Sequence, residues 1–81
     1  VRINSIHDPR YKRIVQRLIK ARLDAGLTQE ELAQSTGLSQ SDISKIEKCQ
    51  RRLDVLEAVD WINATNTSEL AVVARILDPG K

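Results

Sequence analysis

The chain has 81 residues, a net charge of +2 and a single cysteine, which makes it one small domain and excludes an internal disulfide framework. No apolar run approaches the roughly 18 residues that span a bilayer, and no secretory signal opens the chain, so a cytoplasmic protein is expected. The absence of methionine predicts that the true start is missing or processed.

In chain order the pattern predicts an all-α fold of five helices and no strand. An arm over 1–8 precedes a domain over 9–77, and a tail over 78–81 closes it with the stop signal Asp78-Pro-Gly-Lys81. Asp8 caps helix one, and Pro9 takes the first helical place, where a missing N–H costs nothing. Ile14, Leu18, Ala21 and Ala25 recur at helical spacing and form the expected inward stripe. Gly26 ends the helix.

Helix two, over 28–35, opens with a capping box of Thr28 and Glu31, stapled by Leu27 and Leu32. The signature returns for helix three, over 39–48, with Ser39, Asp42, Leu38 and Ile43. Its carboxylate is the shorter Asp, so the second box is the weaker one. Gly37 between them suits a left-handed turn, and small Ala33 lets the helices approach closely. Two helices this short are unstable alone and must pack on a third element. Asp54 caps helix four, over 55–64, with Val55, Val59 and Ile62 inward. Asn66 and Glu69 offer a weaker box for helix five, over 67–77.

Residues 10–64 resemble the helix-turn-helix family of the lambda and Cro phage repressors, the Xre-like regulators. The resemblance is carried by Gln29, Leu32, Ala33, Gly37, Leu38, Ile43, Ile46 and Glu47, preceded by Arg22 and Gly26-Leu27-Thr28. Arg51-Arg-Leu-Asp-Val55 resembles one branch of that family. It implies a compact five-helix lambda-repressor-like domain whose turn lies between helices two and three. Many members carry Asn-Gly after the glutamate that ends helix three. This chain has Lys48-Cys49, so a differently shaped exit is expected.

Helix three carries the expected reading face. Ser41, Ser44 and Lys45 share a side at spacings of three and four, with Gln40 on the first turn, while Ile43 and Ile46 point inward. Gln pairs with both major-groove atoms of adenine and Lys donates to guanine, whereas Ser is permissive. By resemblance, Gln40, Ser41, Ser44 and Lys45 match positions that read bases; Gln40 and Lys45 are the stronger candidates, and each could equally be an ordinary exposed polar residue. Gln29 matches a phosphate clamp at a helix N-terminus, joined by Ser39. Lys48, Arg51 and Arg52 are the expected clamp on the other side, with Arg10, Lys12, Arg13 and Arg17 supplying a broader positive field. Asp42 could accept from a cytosine amino group, but its spacing from Ser39 favours capping. Arg22 and Glu47, by resemblance, form an ion pair that orients the reading helix, with any phosphate contact by Arg22 secondary.

Charge follows the same division. Residues 1–52 hold eleven basic against six acidic residues, and residues 53–81 hold two against five. Alone, such an imbalance usually marks only a solvated surface.

Catalysis is not expected. The one histidine, His7, has no second ligand at metal spacing, the serines lack a visible base, and no glycine loop cradles phosphate. Neither cofactor nor metal is expected, and Cys49 reads as inert before it reads as a redox sensor. Leu70, Val72, Val73, Ile76 and Leu77 cover more than one stripe of helix five. They are expected both to close the core and, with Leu70, Val73, Ile76 and Leu77, to face a second copy. Trp61 is read first as a half-buried packing residue on helix four and second as a dimer contact. Family repressors bind double-stranded DNA as symmetric dimers on paired half-sites. The expected function is therefore a dimeric transcriptional repressor. The rival is an interaction module, gripping a toxin or bridging to the transcription machinery; binding to the DNA upstream of its own gene would separate the two.

Overall fold

In the computed structural model, residues 5–65 and 71 are described. Four α-helices occupy them, and none of the described residues lies in a strand: α1 Pro9–Asp24, α2 Gln29–Thr36, α3 Gln40–Glu47 and α4 Val55–Thr65. A 3-10 turn, Ser5–His7, precedes α1 where an irregular arm was expected. The fifth helix, with Leu70, Val73, Ile76 and Leu77, falls outside the described residues; Ala71, alone described there, is helical.

Each helix starts where its capping chemistry allows. Asp8 accepts from the Arg10 backbone N–H, with Pro9 in the first turn. Gly26 leaves α1 at φ +73, donating to Leu23 O while Leu27 N donates to Arg22 O. That pair of bonds is a Schellman ending, which satisfies carbonyls the helix would otherwise orphan.

The core collects Leu18 from α1, Leu32 and Ala33 from α2, Ile43 and Ile46 from α3, and Val59, Trp61 and Ile62 from α4. The two staple leucines, Leu27 and Leu38, pack against this cluster. α2 lies at the centre, touching α3 on one side and α4 on the other, and α1 braces both.

Two stripes differ from the expected ones. On α1 the buried residues are Val15, Leu18 and Ala21, whereas Ile14 is 53% exposed and Ala25 is exposed. The inward face runs through Tyr11, Val15, Leu18 and Arg22, because Arg22 must reach α3 and Tyr11 must reach the loop after it. Ile14 lies about 100° around the helix from Val15. On α4, Val59 and Ile62 are inward, but Val55 is 60% exposed in the first turn. Trp61 takes its expected packing role on α4, fully rather than half-buried, and not the role of a dimer contact. It is 0% exposed and its indole N–H donates to Leu18 O at 3.0 Å, so it presents no surface to a second copy.

Candidate nucleic-acid interface

The turn between α2 and α3 is built from backbone chemistry. Gly37 adopts φ +77 and its N–H donates to Ala33 O, ending α2. Two residues later Ser39 starts α3. Both capping boxes are present. Thr28 Oγ1 accepts from Glu31 N at 3.1 Å, and Glu31 Oε1 accepts from Thr28 N at 2.9 Å. In the second, Ser39 Oγ accepts from Asp42 N at 3.0 Å, but the return bond from Ser39 N to Asp42 Oδ2 is 3.3 Å. The shorter side chain of Asp reaches less well. These bonds, chiefly those with Ser39, hold the Asp42 carboxyl below its usual range.

The far end of α3 has the same Schellman ending as α1. Cys49 sits at φ +56, its N–H donates to Ile46 O, and Gln50 N donates to Lys45 O. The exit expected to differ in shape therefore takes the left-handed turn with a cysteine in the glycine slot.

α3 has two unlike faces. Ile43 and Ile46 are fully buried, whereas Gln40, Ser41 and Lys45 are exposed and Ser44 is half-buried. Among the described residues, the side chains of Lys45, Lys48 and Arg52 make no hydrogen bond or ion pair.

A chain of directed bonds holds this face. Arg22 donates from Nε to Glu47 Oε2 at 2.7 Å, from Nη2 to Glu47 Oε1 at 3.1 Å and from Nη1 to Leu27 O at 2.8 Å. Arg22 and Glu47 side chains are only 12% and 9% exposed, so the pair is largely removed from water. Gln29 Nε2 also donates to Glu47 Oε1, at 2.9 Å, and Gln29 Oε1 accepts from Gln40 Nε2 at 2.8 Å. The polarity runs one way. A guanidinium only donates and a carboxylate only accepts, so Gln29 must turn its amide nitrogen to Glu47 and its oxygen to Gln40.

Gln40, Ser41 and Lys45 are exposed on α3, Lys48 at its cap, and Arg52 in the loop that follows. Gln29 lies beside the start of α3, engaged on both amide atoms. Arg51 is apart from this group. Its guanidinium donates from Nη1 and Nη2 to Glu57 Oε1 and Oε2, both at 2.9 Å, and its Nε lies 3.7 Å from Asp42 Oδ1. On α1, Lys12, Arg13 and Arg17 are exposed, while Arg10 is bonded to Asp8.

Sequence reasoning missed Tyr11 and Glu57. Tyr11 Oη accepts from Leu53 N at 2.8 Å and donates to Arg51 O at 3.3 Å, tying the loop after α3 to α1. Burial pushes the phenol upward from its usual value, so it stays neutral and able to donate. Glu57 completes a capping box with Asp54: Asp54 N donates to Glu57 Oε1 at 3.0 Å and Glu57 N to Asp54 Oδ1 at 3.4 Å. The Asp-x-x-Glu spacing could have disclosed Glu57. Nothing in the local pattern marks Tyr11, whose partners lie about forty residues away.

No helix among the described residues is long and apolar enough to cross a membrane. No curated protein matches the chain. A family model described as helix-turn-helix matches residues 18–72, which cover both short helices, the turn and α4. The chain belongs to the lambda-repressor-like helix-turn-helix family of DNA-binding regulators.

Proposed function

We propose that this chain reads a DNA sequence by laying α3 in the major groove, as a homodimeric transcriptional repressor on paired half-sites. One observation carries the reading. The outer face of α3 is free of core packing, while its inner face and its last residue are fixed by Ile43, Ile46 and the Arg22–Glu47 pair. A reading surface needs both: side chains open to a ligand and a rod that does not rotate.

Gln40 is the principal base reader. With one N–H given to Gln29, it keeps an outward oxygen and one outward N–H. That pattern matches adenine, which offers the N6 donor and the N7 acceptor, and mismatches guanine, which offers two acceptors. Lys45 complements it by donating to guanine O6 or N7. Ser41 contributes contact without strong selection, and half-buried Ser44 less.

Phosphates are gripped on both flanks. Gln29 and Ser39 stand at helix starts, where N–H groups and the dipole favour an anion. Lys48 and Arg52 approach from the other end with no internal partner among the described residues. The dimer rests on the apolar surplus of 70–77, which exceeds what closing a small core requires.

Selection from a random duplex pool tests the reading. A recurrent site with two related halves is expected, centred about 10 base pairs apart. Gln40→Ala should weaken that site by roughly 1–3 kcal/mol and relax preference at one base pair. Equal weakening on random duplex would place Gln40 on the backbone only. Sedimentation at micromolar concentration showing only monomer would remove the dimer.

A further inference from the structure

We propose that Arg51 is a positioning residue for the reading helix, setting the angle of α3 by joining the carboxylates at the starts of α3 and α4, and that it does not grip phosphate. This rests on the DNA-reading function above. Two of the three guanidinium nitrogens are hydrogen-bonded within the chain, and the third lies in ion-pair range of a carboxylate. Nη1 and Nη2 engage both Glu57 oxygens, Nη1 also donates to Arg52 O at 3.0 Å, and Nε faces Asp42. Such a two-pronged pair fixes direction as well as distance.

Both partners are themselves capping groups. Asp42 accepts from Ser39 N at the start of α3, and Glu57 accepts from Asp54 N at the start of α4. Arg51 therefore bonds the return arm of the α4 cap and lies 3.7 Å from the carboxylate that closes the cap of α3. Its backbone is held as well, since its carbonyl accepts from Tyr11 on α1. Three helices meet through one residue. α3 and α4 each pack chiefly on α2 and α1, so this link supplies a direct constraint between them. The charges agree: Glu57 is held below its usual carboxyl range, first by Arg51, and Arg51 is raised, first by Glu57. Arg51 also offsets the Asp42 carboxylate, the single acid in the first turn of α3, which would otherwise repel an approaching phosphate.

The test uses the full chain, the selected duplex and a random duplex of equal length. Arg51→Ala should weaken the selected duplex by roughly fivefold, hold the random duplex nearly constant, and leave the salt slope unchanged. Arg52→Ala, the contrast, should weaken both duplexes and reduce the salt slope by about one. Glu57→Gln is decisive, because glutamine keeps the cap acceptor while removing the charge that holds Arg51. A positioning role predicts weaker binding to the selected duplex; a phosphate grip predicts tighter binding to both, since the cation is released. Tighter binding, or a slope flattened by about one in Arg51→Ala, overturns the proposal.

Amide exchange without DNA supplies an independent arm, at a temperature where each variant is shown by circular dichroism to be folded. The Asp42 amide, bonded to Ser39, should exchange faster in Arg51→Ala and Glu57→Gln. Unchanged exchange there would overturn the link even if DNA binding fell. Failure of the wild-type chain to bind any duplex would instead overturn the DNA-reading function, with exchange still deciding whether Arg51 holds α3.

Discussion

Cys49 occupies a backbone position that L side chains rarely adopt. Its φ of +56 matches the geometry of Gly26 at +73, and both close a helix with the same two bonds. A side chain in the left-handed region costs about 1–2 kcal/mol, whereas glycine adds unfolded-state freedom worth roughly 0.5–1 kcal/mol. Cys49→Gly should therefore raise the unfolding free energy by about 0.5–1 kcal/mol, read as a higher urea midpoint at constant m-value. A lower midpoint would mean that the half-buried side chain contributes packing that outweighs its strain. The gain is local to the exit of α3, where the reading helix meets Lys48, Arg51 and Arg52.

At the scale of elements, α1 and α4 are joined at one buried polar contact. Trp61 fills the core at 0% exposure, and its indole N–H reaches the Leu18 carbonyl across the helix interface. Burying an indole is favourable only when its N–H finds an acceptor. Trp61→Phe removes that bond and part of the volume, and should cost about 2 kcal/mol of stability by denaturant titration. An unchanged midpoint would show that the bond adds nothing to the packing. Because α1 also carries Arg22, the α1–α4 seam and the Glu47 anchor share one rigid element. α3 is thus steadied from a helix that carries none of the proposed base-reading side chains.

The whole molecule responds to acid through its caps. Asp8 is held down to about 2, first by the Arg10 side-chain bond, and Asp42 and Glu57 are lowered by Ser39 and Arg51 respectively. Each folded carboxyl binds its proton less readily than in the unfolded chain, so stability rises with pH across this window. Their contribution is complete above the ordinary carboxyl range and is lost as pH falls through the folded values. Thermal midpoints should be flat from about pH 7 to 5 and decline between about pH 4.5 and 2. These groups are exposed in part, so the decline attributable to them is modest. Asp8→Asn should make it shallower; identical acid profiles for the two proteins would deny the Asp8 contribution.

Local chemistry makes the helix-turn-helix legible in the sequence. The boxes at Thr28 and Ser39, Gly37 between them, and Ile43 with Ile46 at a spacing of three are short-range features written in consecutive residues. Their bonds close within four positions, so spacing alone determines them. Apart from the Arg22–Glu47 pair, which the resemblance implied, contacts between distant segments depended on tertiary structure. The replacement of Ile14 by Val15 in the α1 stripe, the burial of Trp61, the Gln29–Gln40 bond and the Tyr11 tie to the loop each depend on residues of other segments. Arg51 shows the physical reason. A guanidinium after a DNA-reading helix reads equally well as a phosphate clamp or an internal strut, and only the placement of Asp42 and Glu57 around it separates the two.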